Sequence, residues 1–84
     1  MERPEETQLI ARTRRGDSTA FGELVDQYRG RILRVCVRLL GSVEDAKDVA
    51  QEAFMQAYLG LDRFHESARF YTWLYRIAVN RASV

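Results

Sequence analysis

Eighty-four residues with one proline, five glycines and 46% hydrophobic content make one small folded domain, with too little chain to build both a core and a walled catalytic pocket. The single cysteine, Cys36, excludes an internal disulfide or a cysteine-built zinc site, and the frequent arginines leave no apolar run near the roughly twenty residues that cross a bilayer. The expectation is a soluble cytoplasmic protein with no membrane insertion.

Net charge is only +1, but it divides into +2 over residues 1–41, −4 over 42–62 and +3 over 63–84. An acidic block between two basic ones points to two surfaces for two kinds of partner; the competing reading is chance variation among solvated faces.

The predicted elements are all helical, since no alternating β-branched run argues for a sheet. The first helix runs from Pro4, suited to an opening turn, to Arg15, with Leu9, Ile10 and Thr13 on one side, and Gly16 ends it. Asp17 or Ser18 caps the second helix. Its stripe is Phe21, Leu24, Val25, Tyr28, Ile32, Val35, Cys36 and Leu39; Arg29, Arg31, Arg34 and Arg38 fall on the opposite face, and Gly41 stops it. Ser42-x-x-Asp45 is a capping signature for the third helix, which reaches about Leu61. There Ala46, Val49, Ala50, Ala53, Ala57 and Leu61 form a small-residue stripe that lets it pack closely on the second helix. Phe54, Met55, Tyr58 and Leu59 exceed what that stripe can bury, so part of them should be exposed apolar surface for a partner. A loop from Asp62 to Ser67 follows. Ser67 suits the cap of the fourth helix, whose buried stripe is Phe70, Trp73, Leu74, Ile77 and Ala78. The fold class is therefore all-α, a compact bundle of about four helices.

Two patterns bear on function. Asp48, Gln51, Glu52 and Met55 stand at i, i+3, i+4 and i+7, one stripe of the third helix. Carboxylates beside exposed Phe54, Met55 and Tyr58 suit a basic helical partner, apolar anchors giving affinity and charges giving register. Further on, Phe64, Phe70, Tyr71, Trp73 and Tyr75, five of the nine aromatics, interleave with Arg69, Arg76 and Arg81. Rings beside guanidinium groups suit unstacked bases and their phosphates; the plainer reading is a core helix with solvated arginines. Enzymatic chemistry lacks material. His65 is the only histidine, and no phosphate loop or nucleophile motif occurs. Asp48 and Glu52 could hold a divalent ion, but such a pair more simply makes a solvated face. No catalysis, metal or cofactor is expected.

Asp45-Ala-Lys-Asp-Val-Ala-Gln-Glu-Ala-Phe54, then Ala57-Tyr58, Leu61-Asp62-Arg63-Phe64 and Phe70-Tyr-Thr-Trp-Leu-Tyr-Arg-Ile-Ala-Val-Asn80, closely resemble region two of extracytoplasmic-function (group four) bacterial sigma factors. Gly16-Asp17-x-x-Ala20-Phe21 with Leu24-Val25 and Tyr28 also looks like that family, so the resemblance runs from about residue 8 to 82. It implies an all-helical domain with two tasks. One is gripping the coiled-coil clamp helices of the largest subunit of core RNA polymerase, by position through Asp48, Gln51, Glu52, Phe54, Met55 and Tyr58. The other is reading and melting the minus-ten element of promoter DNA by capturing a base flipped from the non-template single strand. By position that falls on Arg63, Phe64, His65, Glu66, Ser67, Ala68, Arg69, Phe70, Tyr71, Thr72, Tyr75, Arg76 and Asn80, with Trp73 and Leu74 left in the core. An anti-sigma factor covering the polymerase-facing surface is a further implied partner.

Two departures from the family pattern stand out. The loop reads His65-Glu66-Ser67-Ala68 where Arg-Gly-Asp or Arg-Gly-Glu is usual, and Arg69 replaces a small or polar residue, so His65 and Arg69 are expected to alter the base accepted. The family's second, minus-thirty-five-binding domain does not follow, and Arg81-Ala-Ser-Val84 carries no helix stop signal, so a domain excised from a longer protein is expected. Two other classes compete: a helical module that binds polymerase without reading bases, and a general duplex binder whose affinity depends on salt but not on sequence.

Overall fold

A computed structural model describes residues 4–65 and 67–83; Glu66, assigned above to the DNA-reading loop, lies outside the described residues. Four α-helices are present, α1 (Pro4–Arg14), α2 (Ser18–Leu40), α3 (Val43–Leu59) and α4 (Phe70–Ala82), with a 3-10 turn at Leu61–Arg63.

The α1–α2 corner is closed by one carboxylate. Asp17 is the N-cap of α2, accepting from the backbone N–H groups of Thr19 and Ala20 at 3.1 and 3.3 Å. Its other oxygen receives the Arg12 side chain at 2.8 and 3.2 Å, tying the last turn of α1 to the first of α2. The Arg12 hydrogen bond also holds the Asp17 carboxyl below its ordinary pKa. Gly16 makes the corner at φ 102° and Gly41 ends α2 at φ 70°, with its N–H on the Val37 carbonyl at 2.8 Å; both are left-handed conformations that a Cβ disfavours. Ser42 caps α3 by accepting from the Asp45 N–H at 3.2 Å.

α2 is the spine and packs on all three other helices, most extensively on α3. The reason is the alanine stripe. Ala46, Ala50, Ala53 and Ala57 are buried, and four methyl-sized contacts let the α3 axis approach α2 closely. Ile10, Leu24, Ile32, Cys36, Phe70 and Leu74 fill the centre with less than 2% of each exposed; full burial of such side chains contributes about 1.5–3 kcal/mol each. α1 adds Leu9 and Ile10, and also a buried carboxylate: Glu6 is 4% exposed and accepts a hydrogen bond from the Tyr28 hydroxyl at 2.5 Å, which offsets the cost of removing a carboxylate from water.

Four expectations need correction. α3 ends at Leu59 and gives way to the 3-10 turn, rather than continuing to Leu61. Leu39, counted in the α2 stripe, is 51% exposed, and Val35 is half-buried. Ser67 does not cap α4. That helix starts at Phe70 with Arg69 in the N-cap position and no side-chain cap bond. Trp73, expected in the buried stripe of α4, is half-buried at its edge. Among the described residues no helix is long and apolar enough to cross a membrane.

Candidate nucleic-acid and protein interfaces

The path from α3 to α4 is fixed at its start. Phe64 is 3% exposed and sits edge-on to Phe70 at 5.6 Å between ring centroids and tilted against Trp73 at 5.2 Å. Phe70 and Trp73 are themselves 5.9 Å apart, so three rings from loop and helix close on one another. From α1, Arg14 donates through Nη2 to the carbonyls of Leu61 at 3.0 Å and Phe64 at 2.5 Å. The loop is thus pinned by side chain and by backbone just before it emerges. His65, Ser67, Ala68 and Arg69 are exposed, with one turn bond from the Ala68 N–H to the His65 carbonyl at 3.0 Å.

Beyond the loop, α4 presents Thr72, Tyr75, Arg76 and Asn80 to solvent, at spacings of three, four and eight residues that make one face. Tyr75 is 40% exposed. Tyr71 lies at the border, stacked on Tyr28 of α2 at 5.3 Å with planes 29° apart and 6.0 Å from the Tyr75 ring. Arg31 of α2 places its guanidinium 4.0 Å from the centre of Tyr71, within cation–π range. Planar rings bordered by arginines are the elements a single strand uses, stacking for bases and charge for phosphates.

The second patch is on α3. Asp48, Gln51, Glu52 and Met55 are all exposed and line one shallow groove. Met55 is 60% exposed, Tyr58 41% and Leu59 74%, a contiguous apolar edge next to carboxylates. Tyr58 is held edge-on by Phe21 at 5.1 Å, so its ring is offered in a set orientation. Glu52 also takes the Arg81 guanidinium of α4 at 2.8 Å, both side chains about half exposed, so the two patches adjoin at that bridge. No group of three or more His, Cys, Asp or Glu among the described residues could hold a metal ion.

Three residues assigned to contact surfaces lie in the core instead. Phe54 is 8% exposed, Phe64 3% and Phe70 1%. Phe64 and Phe70 face the bundle and set the shape beneath the surface, while Phe54, though largely buried, lines an open groove with Val25, Leu33 and Gln51 between α2 and α3. Conversely, the sequence reading gives Arg14 and Arg31 no contact role, and it sets Arg81 beside the aromatics without its bridge to Glu52. Arg31 was visible only as one of four solvated arginines on α2, and nothing in a linear sequence announces that α4 delivers Tyr71 beneath it.

A bundle with an arginine-and-tyrosine face on its last helix, beside an acidic face with apolar anchors, has the architecture of a bacterial sigma-factor domain. The chain belongs to the Sigma-70 region 2 family, matched over residues 24–83. It is 48% identical over 71 residues to the extracytoplasmic-function sigma factor SigW of Bacillus subtilis, covering 84% of this chain and 38% of that protein. With the sigma-H factor of Pseudomonas aeruginosa identity is 49% over 78 residues, 93% of this chain and 40% of the other. With the sigma-E factor of Escherichia coli K12 it is 47% over 74 residues, 88% and 38%. The chain therefore spans about two fifths of the length of these curated relatives. Among solved structures, an engineered region 2 of sigmaE in complex with GTAAAA, determined by NMR, superposes with a TM-score of 0.84 at 42% identity, covering 98% of this chain and 86% of that one.

Proposed function

We propose that this chain is the promoter-recognition domain of an alternative sigma factor, reading the minus-ten element as a non-template single strand while docked on core RNA polymerase. The observation that carries this reading is the likeness, across 98% of the chain, to a region 2 solved with GTAAAA, combined with an α4 face whose Thr72, Tyr75, Arg76 and Asn80 are all exposed. A base taken out of its stack costs a few kcal/mol. The loop that leaves Phe64, held at its start by the Arg14 bond to the Phe64 carbonyl, would supply the pocket that offsets that cost. His65 and Arg69, both exposed, would set which base it accepts.

The acidic stripe of α3 takes the second role. Asp48, Gln51 and Glu52 beside Met55 and Tyr58 suit basic coiled-coil clamp helices, and an anti-sigma factor would compete for the same surface. Anisotropy of a labelled GTAAAA single strand, with each base substituted in turn and with the matching duplex, tests the first role. Tighter binding of the single strand, with at least one position where a base change costs tenfold or more, is expected. Equal binding of every sequence and of duplex contradicts it.

A further inference from the structure

Most arginines whose contacts are defined are engaged within the protein. Arg12 is paired with Asp17, Arg29 with Asp26 and Arg81 with Glu52, and Arg14 is bonded to two carbonyls. Arg31 differs. It is exposed and meets no carboxylate among the described residues; its guanidinium rests 4.0 Å from the centre of Tyr71 and 5.9 Å from that of Tyr28. Tyr71 is in turn 6.0 Å from Tyr75. By those two distances the cation lies no more than about 10 Å from the most open ring of the α4 face.

We propose that Arg31 is a phosphate contact for the bound single strand, extending the nucleic-acid site from α4 onto α2. The inference rests on the single-strand reading above and adds a residue and a helix to it. The guanidinium carbon lies over the Tyr71 ring at 4.0 Å, a contact that uses the π face and does not consume the N–H groups, which can meet phosphate oxygens. A carboxylate partner would have to be displaced before DNA could bind; an aromatic partner need not be, since guanidinium can stack and hydrogen-bond at once. The opposing possibility is a lid, in which Arg31 covers Tyr71 and must be moved aside by a base.

The two predict effects of opposite sign. Arg31→Gln removes the charge and keeps the side chain's bulk; Arg31→Lys keeps the charge and loses the planar stack. Binding of labelled GTAAAA is measured for each across a salt series, with Arg38→Gln as an equal charge loss elsewhere on α2. A phosphate contact on a single strand contributes about 0.7 to the slope of log K against log salt. Arg31→Gln should therefore weaken binding several-fold at low salt, uniformly across base substitutions, and reduce the slope by about 0.7, while Arg31→Lys and Arg38→Gln retain it. Unchanged or tighter binding by Arg31→Gln overturns the proposal. If the wild-type chain discriminates bases and Arg31→Gln keeps the full slope, the Arg31 contact alone fails. Loss of slope in a chain that discriminates no bases leaves the phosphate contact standing and removes the promoter-reading function.

Discussion

Arg14, at the end of the first helix, donates its Nη2 to the carbonyl of Phe64, fifty residues further along the chain. The same nitrogen reaches the Leu61 carbonyl, so one guanidinium brackets the 3-10 turn that launches the loop. Bonds from a charged donor contribute about 1.5–3 kcal/mol each, and orphaned buried carbonyls carry a desolvation cost. Arg14→Ala should lower unfolding stability by about 2–3 kcal/mol, read from the urea midpoint. Amide exchange should accelerate at residues 61–69 beyond the global change. Uniform acceleration across all helices would mean that Arg14 supports the fold generally and the loop not in particular.

The surface of α4 and that of α3 are expected to fail separately. Tyr75→Ala removes an exposed stacking ring, and base–aromatic stacking contributes about 1–3 kcal/mol per base; Asn80→Ala should also impair promoter reading. Neither should change affinity for core polymerase. Asp48→Lys and Met55→Ala should do the reverse. Promoter output untouched by Tyr75→Ala and Asn80→Ala would favour a module that binds polymerase without reading bases.

The loop makes a prediction about specificity. Replacing residues 65–69 by the common family sequence, with Arg-Gly-Asp after Phe64, should change which base is preferred at the captured position while leaving polymerase affinity intact. Competition among four single strands differing at that base measures it, and an unchanged order of preference would acquit His65 and Arg69.

Much of this was legible in the sequence because it depends on period and on single residues with one dominant use. Asp17, Gly41, Ser42 and the alanine stripe each act where the linear pattern put them. The two faces were legible as charge blocks. Legibility ended where two distant segments meet. Phe54 reads as a surface anchor from its spacing, Phe64 is placed on the DNA side by the family resemblance, and Phe70 is both a buried-stripe residue by spacing and a DNA residue by resemblance. Aromatic residues serve cores and interfaces alike, and only packing decides their burial. Ser67 is a good capping residue two positions too early, since the loop needs Ala68 and Arg69 before Phe70 can enter the core. Arg14 and Arg31 gain their roles from neighbours 47 and 40 residues away, a relation that no local window contains.

Acid should loosen the α1–α2 corner. Asp17 has a lowered pKa when folded, chiefly through the Arg12 hydrogen bond. A depressed carboxyl stabilises the fold above its unfolded pKa and loses that contribution as pH falls through the folded one. Urea midpoints below the ordinary carboxylate range should therefore drop in the native sequence, and Asp17→Ala should remove part of that drop. Identical pH dependence in both proteins would show that the corner does not respond to acid.

Cys36 should be chemically silent in the native state. It is 0% exposed, and burial raises the thiol pKa, which withholds the reactive thiolate. Labelling by a maleimide should track unfolding in urea; fast labelling without denaturant would contradict the core packing around it.

Amide chemical-shift mapping with two ligands tests the central claim most directly, namely that one small bundle carries a base-reading face and a polymerase-binding face side by side. GTAAAA should perturb residues 65–80 and the α2 turn around Arg31, sparing Asp48, Gln51 and Met55. A peptide pair reproducing the polymerase clamp helices should perturb α3 from Asp48 to Leu59 and spare Thr72, Tyr75 and Arg76. Both ligands perturbing the same helix, or the single strand settling on the acidic stripe, would contradict the account.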